Sequence, residues 1–257
     1  MPDLAPVVIK PVVIKYGGNA MTDPELRRRM ARAIAAVPGA VVVHGGGPFI
    51  GAALAEAGLE SRFVRGLRVT SAESLPVIER TLTQLGKTLA FETGRGVGLT
   101  GRDAGLLVGE RLGEELGFVG RVVQVNTGLV TGLLGLNLVP VIACLAVDAV
   151  GGALNVNADD VASAVAGALS APVVFLSNIP GVLDDPADPD SLLTELNEAD
   201  IQARIADGRV AGGMIPKLEG ALGALRAGAA FAVIADGREP GALTEVLAGR
   251  RGTRVIR

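Results

Sequence analysis

Short apolar runs alternate along the chain with longer segments of helical periodicity. The runs are uninterrupted and rich in β-branched residues, a pattern typical of parallel strands that are covered on both faces. They occupy residues 12–14, 41–43, 138–144, 172–176 and 231–235. Segments with an apolar spacing of roughly 3.6 and many alanines and leucines predict helices at 23–36, 48–57, 72–91, 158–169, 198–206 and 214–227. We therefore predict an α/β fold, a three-layer αβα sandwich around a mostly parallel central sheet.

Three segments depart from this alternation. Residues 109–121 combine charged residues with four glycines and predict short antiparallel strands outside the main sheet. Residues 122–147 carry no charge and are long enough to span a membrane. Several glycines, two asparagines and Pro140 interrupt them, which favours a helix followed by a buried strand. Residues 184–190 are acidic and rich in proline, and this turn chemistry favours an exposed loop over a metal site.

Composition limits the classes of function. The length of 257 residues is compatible with one large α/β domain or two lobes, and the net charge of −3 argues against a protein that holds nucleic acid. The basic run at residues 27–29 is interpreted as the solvated face of the first helix. With one cysteine, Cys144, and one histidine, His44, an internal disulfide and a His-rich metal cluster are excluded. No export signal opens the sequence, so a cytoplasmic location is expected.

Two glycine loops follow the first two predicted strands. Lys15 precedes Gly17 and Gly18, an order that differs from a Walker P-loop, and an ordinary turn after a strand explains this loop equally well. His44 precedes three consecutive glycines whose amides could stabilise developing negative charge. A tight strand-to-helix turn with Pro48 at the helix start is the equal alternative. We interpret His44 as a strand-end residue with a satisfied hydrogen bond rather than as an acid–base catalyst.

Lys15 also ends the second copy of a direct repeat. Residues 6–10 and 11–15 both have the sequence PVVIK, and only the second copy continues into a glycine loop. Lys15 is therefore the candidate functional lysine, and Lys10 is assigned to an appended segment.

Further polar residues can serve an anionic site. Arg68 could clamp a carboxylate by two parallel hydrogen bonds or be a plain surface arginine. Asn155, Asn157 and Asp159 come directly before an apolar helix, and a helix cap formed by Asn157 or Asp159 is the interpretation that this segment alone favours. A carboxylate near two lysines would also hold both ammonium groups in place. The second lysine is Lys217, which follows a further pair of glycines.

In chain order, five motifs closely resemble those of the acetylglutamate kinases, a branch of the amino-acid kinase family. They are KYGGNAM at 15–21, HGGGP at 44–48, GLRVT at 66–70, NVNAD at 155–159 and GGMIPK at 212–217. The resemblance runs across almost the entire chain. It implies an ATP-dependent transfer of the γ-phosphoryl group to the side-chain carboxylate of N-acetyl-L-glutamate in arginine biosynthesis, on the amino-acid kinase fold. A carboxylate acceptor needs no general base, so catalysis depends on positioning and charge neutralisation.

The resemblance also implies roles for individual residues. Lys15 should contact the transferring phosphoryl group, Lys217 should stabilise the leaving side, and Asp159 should orient both lysines. Glycines should supply backbone amides, and those assigned to the catalytic set are Gly18, Gly45 and Gly46. The residues expected to bind the acceptor are Arg68, Asn155, Asn157, Gly45, Gly46 and Gly47. Those expected to bind the nucleotide are Lys15, Gly17, Gly18, Ser177, Asn178, Gly181, Gly212, Gly213, Met214 and Lys217.

The resemblance extends to cofactor and assembly. ATP should bind as Mg-ATP, with Mg²⁺ held mainly by the nucleotide and no metal site on the protein. Residues 1–171 should form a lobe that binds the amino acid and dimerises, and residues 172–257 a lobe that binds ATP. The chain begins too close to Lys15 for the N-terminal helix of arginine-inhibited hexameric members, which favours an arginine-insensitive homodimer. Gly86 stands where relatives often carry asparagine. No nucleic-acid or membrane partner is expected.

Two alternative functions stay open. A related kinase that acts on carrier-linked aminoadipate in lysine biosynthesis shares the phosphate machinery, although the GLRVT segment weighs against it. A catalytically silent nucleotide-binding regulatory subunit would have lost a phosphate-facing charge, whereas Lys15, Asp159 and Lys217 are all present.

Overall fold

The computed structural model describes residues 10–185, 187–212 and 214–257. Residues 1–9, Pro186 and Gly213 lie outside the described residues. The first copy of the repeat up to residue 9 and the nucleotide-binding role expected of Gly213 are therefore outside the structural description.

Helices and strands alternate through most of the described chain. The α-helices are α1 (Pro24–Ala35), α2 (Gly47–Glu56), α3 (Ser74–Glu92), α4 (Thr127–Gly135), α5 (Ala158–Ala168), α6 (Glu198–Ala206), α7 (Met214–Arg226) and α8 (Leu243–Leu247). The strands are β1 (Val12–Tyr16), β2 (Ala40–His44), β3 (Phe63–Val64), β4 (Leu67–Arg68), β5 (Gly96–Leu99), β6 (Leu107–Arg111), β7 (Val119–Val125), β8 (Val139–Ala143), β9 (Leu145–Val147), β10 (Ala153–Val156), β11 (Val173–Ser177), β12 (Val182–Leu183), β13 (Leu192–Leu193), β14 (Glu195–Leu196), β15 (Ala232–Asp236) and β16 (Thr253–Val255). Short 3₁₀ helices cover Gly18–Met21, Asp103–Gly105, Glu114–Leu116 and Pro240–Ala242.

Within the described chain, eight strands form one large sheet in the order β14-β16-β15-β11-β1-β2-β8-β5. Every neighbouring pair is parallel except β15 with β16. All five apolar runs that predict strands lie in this sheet, as β1, β2, β8, β11 and β15. The prediction of a mostly parallel central sheet is therefore confirmed.

Alternate side chains of the central strands enter two separate hydrophobic cores. Val13 and Val43 pack in one core, and Ile14 and Val42 pack in the other. Successive side chains of a strand point to opposite faces, so the two cores are the two faces of the sheet. Helices α2, α4, α5 and α7 contribute buried residues to the first core, α1 and α8 to the second, and α3 to both. This arrangement confirms the three-layer αβα sandwich.

Strands β6, β7, β9 and β10 form a small closed barrel separate from the large sheet. Strands β6 and β7 pair in antiparallel fashion, which confirms the prediction for residues 109–121. The uncharged residues 122–147 contain α4 followed by the buried β8, as predicted. Within the described residues, none of the helices is both long enough and apolar enough to cross a membrane.

The acidic segment at residues 184–190 forms a loop whose described residues after Asp184 are exposed. Asp184 itself forms ion pairs with Arg204 and with Arg209, the latter at 3.1 Å. Among the described residues, no group of three or more histidine, cysteine, aspartate or glutamate side chains is arranged to hold a metal ion. The loop prediction is confirmed.

The interpretation of the basic run at residues 27–29 is wrong for Arg27. Arg28 and Arg29 are exposed, but the Arg27 guanidinium is directed inward to the end of α3. Its Nε and Nη2 atoms donate to the Glu92 carboxylate at 2.9 and 2.8 Å, and the two side chains are only 12% and 7% exposed. The hydrogen bonds from Arg27 to Glu92 raise the pKa of Arg27. The pair therefore links α1 to α3 beneath the surface.

We predict that Glu92→Gln lowers the free energy of unfolding by about 3 kcal/mol, because it leaves the Arg27 charge nearly buried without a counter-charge. Urea unfolding followed by circular dichroism measures this loss. The control is Glu25→Gln, which removes the exposed 3.4 Å pair with Arg28 on the same helix and should change the stability little because solvent screens that pair. Equal losses in the two variants would show that the Arg27–Glu92 pair stabilises the protein no more than the exposed pair does.

Candidate active site

The carboxyl ends of β1, β2 and β11 meet at one edge of the large sheet. In the parallel ladders Lys15 lies opposite Val43 on one side and Phe175 on the other. The loops that follow the three strands therefore leave the sheet together. In α/β sheets, ligands bind in the crevice outside such strand ends, where the strand order reverses. The two glycine loops that follow the first two predicted strands are adjacent at this crevice.

Close backbone contact holds the two glycine loops against each other. The amide of Gly45 donates a hydrogen bond to the carbonyl of Tyr16 at 3.1 Å. A Cβ atom at Gly17 would lie 3.3 Å from the Gly45 nitrogen, so a side chain there would crowd the contact between the loops. Gly18 has a φ of +72°, which glycine adopts without strain. Because the Gly45 amide is engaged with Tyr16, it does not face a ligand as the sequence predicts.

The second glycine loop is also the start of a helix. Helix α2 begins at Gly47, with Gly46 as its N-cap, and among the described side chains none caps its first amides. The first turn of a helix has amide donors that lack an intrahelical acceptor, and its dipole favours an anion. Pro48 occupies the first turn. The tight turn into a helix is therefore confirmed, and the amide nest stays a prediction for the first turn of α2.

His44 is fully buried at the end of β2. Its Nδ1 atom lies 3.1 Å from the carbonyl oxygen of Gly45, and since that oxygen can only accept, Nδ1 carries the proton. Its Nε2 atom is buried without a hydrogen-bond partner among the described residues, and burial lowers the pKa of the ring to about 4. A Cβ atom at Gly86 would lie 2.8 Å from Nε2, so glycine at this position makes room for the ring. The position and hydrogen bond agree with the strand-end interpretation.

Lys15 and Asp159 form an ion pair, with Nζ 2.9 Å from Oδ1. Lys15 is on the rigid strand β1, and Asp159 is in the first turn of α5, where the helix dipole favours a carboxylate. Asn157 caps this helix and accepts a 2.7 Å hydrogen bond from the Asp159 amide. The helix-cap interpretation of Asn157 is therefore confirmed, and the cap fixes the position of Asp159.

Lys217 faces the same pair from α7. A cavity of about 230 Å³, here called the Lys217 cavity, is lined by Lys15, Asp159, Ser177 and Lys217, among others. Helices α5 and α7 approach closely beside it, since a Cβ atom at Gly220 would lie 3.9 Å from the Asp159 Cβ. The structure thus brings together the two lysines and the aspartate that the sequence singled out.

A second cavity, here called the Arg68 cavity, has a volume of about 220 Å³ and also contains Lys15 in its lining. The residues expected to bind an acceptor share this cavity. They are Gly45, Gly46, Gly47, Arg68, Asn155 and Asn157, with Gly17, Gly18 and Asp159 beside them. Lys15 and Asp159 therefore line both the Arg68 cavity and the Lys217 cavity.

Arg68 is held in the short hairpin of β3 and β4. Its guanidinium donates to the carbonyl of Gly47 at 3.1 Å and to the hydroxyl of Ser61, and its Cζ atom lies 4.6 Å from the centre of the Phe63 ring. Partial burial lowers the pKa of Arg68, but a guanidinium stays protonated in proteins. The cavity therefore contains a fixed positive charge in addition to Lys15, with further donors for a carboxylate.

The two asparagines of the Arg68 cavity also have structural partners. The side-chain amide of Asn155 donates to the Thr70 hydroxyl at 3.0 Å, and that hydroxyl donates to the carbonyl of Arg68. Asn155 therefore links β10 to the Arg68 hairpin. The oxygen of Asn157 is used in capping α5. Both residues line the cavity while they support the elements around it.

The residues expected to bind nucleotide are divided by the structure. Ser177 and Asn178 line a third cavity of about 410 Å³ together with Lys15, Gly17 and Gly18. The described lining of the three cavities at Lys15 does not include Gly181, Gly212 or Met214. A Cβ atom at Gly181 would lie 2.6 Å from the Thr253 hydroxyl, and Met214 packs against the hydrophobic core.

Two further residues of the site are absent from the set that the sequence predicts. Arg238 lines the third cavity, here called the Arg238 cavity. The signal for it was its position directly after a predicted strand, at the same edge as Lys15. Cys144 lines the Arg68 cavity but is 4% exposed, and burial raises the pKa of its thiol to about 12. It is a buried thiol that contacts the site.

The family model and the similar proteins of known name indicate the same family. Residues 10–236 match the model of the amino acid kinase family. The chain is similar to the acetylglutamate kinase of Deinococcus radiodurans, with 50% identity over 248 residues that cover 95% of this chain and 100% of that protein. It is 46% identical to an acetylglutamate kinase of Thermus thermophilus, over 94% of this chain and 96% of that protein.

Solved structures share the fold at lower identity. The N-acetylglutamate synthase of Neisseria gonorrhoeae, complexed with coenzyme A and N-acetyl-glutamate, aligns with a TM-score of 0.79 and 20% identity, over 96% of this chain and 59% of that chain. The carbamate kinase of Giardia lamblia bound to AMP-PNP aligns with a TM-score of 0.67 and 19% identity, over 97% of this chain and 99% of that chain.

We predict that His44 destabilises the protein in mild acid. Its pKa is about 4 in the folded chain against an ordinary 6.5, so between these values the unfolded chain takes up a proton that the folded chain does not. Stability should therefore fall with decreasing pH in this window, by up to about 1.4 kcal/mol per pH unit from this residue. Unfolding curves of the wild type and His44→Asn, compared from pH 7 to about 4, measure the difference, since asparagine does not titrate. Parallel pH dependences would contradict the prediction.

Proposed function

The chain belongs to the amino acid kinase family, and we propose that it transfers the γ-phosphoryl group of ATP to the side-chain carboxylate of N-acetyl-L-glutamate. One observation carries the proposal. Lys15, ion-paired with Asp159, lines both the Arg68 cavity and the Lys217 cavity. An acceptor in the first and a nucleotide in the second would meet at its ammonium group. The similarity to acetylglutamate kinases at 50% and 46% identity supports this choice of acceptor.

The chemistry requires no proton transfer. A carboxylate oxygen of the acceptor forms a bond to the γ-phosphorus, and the bond from that phosphorus to the β,γ-bridging oxygen breaks. The electron pair of the broken bond leaves with ADP, and the product is an acyl phosphate. No general base is needed because the nucleophile is already ionised at neutral pH. The main obstacle is the repulsion between two anions, which positioned cations and amides relieve.

The cationic residues have complementary roles in this scheme. Lys15 contacts the transferring phosphoryl group, because it lies where the cavities join. Lys217 stabilises the charge that develops on the leaving phosphate. Asp159 holds the Lys15 ammonium group at 2.9 Å and, from the lining of the Lys217 cavity, orients the second lysine. The amides of Gly17, Gly18 and Gly46 complete the phosphoryl site, whereas Gly45 keeps the loops in contact.

The Arg68 cavity suits an acceptor that carries a second carboxylate. Arg68 provides a charged, planar donor for that group, and its position is set by Gly47, Ser61 and Phe63. Asn155 and Asn157 lie in the same lining and would contact the acetamido end. The side-chain carboxylate of the acceptor then points to Lys15.

Mg²⁺ would accompany the nucleotide. Its hard charge is best satisfied by phosphate oxygens and water, with few ligands from the protein, and it would supply additional neutralisation of the phosphate chain. Asp159, the carboxylate that lines the cavities proposed for both substrates, already pairs with Lys15.

We further propose that two lobes bind the two substrates and that the protein forms a homodimer. The described lining of the Arg68 cavity falls wholly within the first proposed lobe, residues 1–171, and residues 172–257 supply Ser177, Lys217 and Arg238 to the other two cavities. A homodimer in the cytoplasm, insensitive to arginine, completes the proposal. The homodimer, but not its location or its insensitivity to arginine, is supported by the edge position of β5 in the large sheet and by Phe91 of α3, which is 86% exposed. Measurement of the solution mass with and without arginine tests the assembly.

The proposed function is tested by an assay that traps acyl phosphate with hydroxylamine. We expect hydroxamate from ATP and N-acetylglutamate, and a fall in kcat of at least about a hundredfold in Lys15→Ala and in Lys217→Ala. The matched control is Lys10→Ala, because Lys10 ends the other copy of the repeat and is exposed. No product from folded wild-type protein at millimolar substrate would refute the proposal, and preferential turnover of carrier-linked aminoadipate would replace it with the lysine-pathway kinase.

We predict that Asp159→Asn reduces kcat by about tenfold or more while it changes ATP affinity less, because the amide keeps the shape but cannot hold the lysines by charge as the phosphoryl group transfers. Steady-state kinetics and calorimetric titration with ATP separate the two effects. Asp160→Asn is the control, since Asp160 is the adjacent carboxylate and is absent from the described lining of the cavities at Lys15. Equal losses of rate and affinity would exclude this orienting role.

A further inference from the structure

The Arg238 cavity contains a cation that the proposed mechanism does not use. The cavity lies between the glycine loop after β1 and the ends of β11 and β15, and its lining includes Lys15, Gly17, Gly18, Ser177, Asn178 and Arg238. We propose that Arg238 is a further binding residue for the phosphate chain of the nucleotide. The inference rests on the proposed function to the extent that ATP is the phosphoryl donor.

The backbone places Arg238 next to the phosphoryl site. Ser177 and Asp236 lie opposite each other in the ladder between β11 and β15, and the amide of Gly237 donates to the Ser177 carbonyl at 2.7 Å. A Cβ atom at Gly237 would lie 3.0 Å from the Leu176 Cβ. A small residue at this point therefore favours the close approach of the chain after β15 to the end of β11. The next residue, Arg238, is thereby brought beside Ser177.

Asp236 holds the guanidinium without using all of its donors. The Arg238 Nε atom lies 3.0 Å from Oδ1 of Asp236, and Nη2 lies 2.7 Å from Oδ2. A guanidinium has five N–H donors, so the donors that Asp236 does not engage can reach a ligand. The side chain is 57% exposed, so a ligand can approach it from solvent. The hydrogen bonds from Arg238 hold the pKa of Asp236 below its ordinary value, which keeps the pair ionised.

The charges of the cavity match a polyphosphate. Lys15 and Arg238 are both cations, and no carboxylate is among the described residues of its lining. Ser177 and Asn178 add neutral polar groups to the lining, and Gly17 and Gly18 add their backbone. The planar guanidinium fits phosphate oxygens in pairs. Lys15 and Ser177 line both this cavity and the Lys217 cavity, so a phosphate chain bound at Lys15 also lies beside the cavity of Arg238.

Arg250 offers a matched control within the same half of the chain. It forms an ion pair with Glu245 and is 62% exposed, close to the 57% of Arg238. Its Nη2 atom donates to Glu245 at 2.8 Å. Arg250 is absent from the described lining of the three cavities at Lys15. Arg238→Gln and Arg250→Gln therefore each remove an exposed arginine that is paired with a carboxylate. They differ in the position of that arginine relative to Lys15.

The test is calorimetric titration of the full chain with Mg-ATP and with AMP, in the absence of acceptor. We expect Arg238→Gln to weaken ATP binding about tenfold or more, as for the loss of a charge-assisted hydrogen bond. AMP binding should be unchanged, Arg238→Lys should recover part of the loss, and Arg250→Gln should behave as the wild type. In the hydroxamate assay, the KM for ATP should rise in Arg238→Gln while the KM for the acceptor stays within about twofold.

Two results would overturn the inference. Unchanged ATP affinity in folded Arg238→Gln would mean that the arginine makes no contact with the nucleotide. An equal loss for AMP and ATP would mean that it does not act through the polyphosphate. These outcomes differ from failure of the proposed function, in which the wild type binds ATP but yields no acyl phosphate from N-acetylglutamate; the binding comparison of Arg238 would then still stand.

Discussion

The hydrogen bond from the Gly45 amide to the Tyr16 carbonyl sets the distance between the two glycine loops, and the site is arranged around it. It favours glycine at position 17, where a Cβ atom would lie 3.3 Å from the Gly45 nitrogen. With the loops in contact, Lys15 emerges between them at the end of a buried strand. Asp159 reaches it from the capped start of α5. The charged pair is thus held by two rigid elements, and the cavities proposed for two ligands meet at it.

Most of the central sheet could be predicted from the sequence because its strands are buried on both faces and consist of uninterrupted apolar runs. Strand β5 could not be predicted from the sequence, because two of its four residues are glycine. A Cβ atom at Gly96 would lie 2.6 Å from the carbonyl of Ala90, and one at Gly98 would lie 3.0 Å from the carbonyl of Gly86. These glycines allow α3 to pack closely on the sheet. The local sequence pattern assigns these glycines to a loop, because it contains no information about the helix that packs against them.

The candidate site shows the same division between local and distant information. The sequence could predict Lys15, Asp159 and Lys217 as site residues because each lies in a motif at the junction of a strand or loop with a helix. The inward orientation of Arg27 depends on Glu92, 65 residues further along the chain, and no local pattern reveals it. Gly181 shares a segment with Ser177 and Asn178, yet packing against Thr253 separates it from the cavities. Arg238 gains its significance only from the cavity that three strand ends create.

Cys144 provides the chain with an internal reporter. It is the only cysteine, it lies between β8 and β9 against the Arg68 cavity, and its protonated, buried thiol is a poor nucleophile. A thiol reagent can therefore modify the native protein only slowly, where local opening widens the access that the Arg68 cavity gives to Cys144. The rate of that modification would report local opening beside the cavity, without any introduced label. The same property leaves a cysteine engineered on the surface as the sole rapidly reactive position.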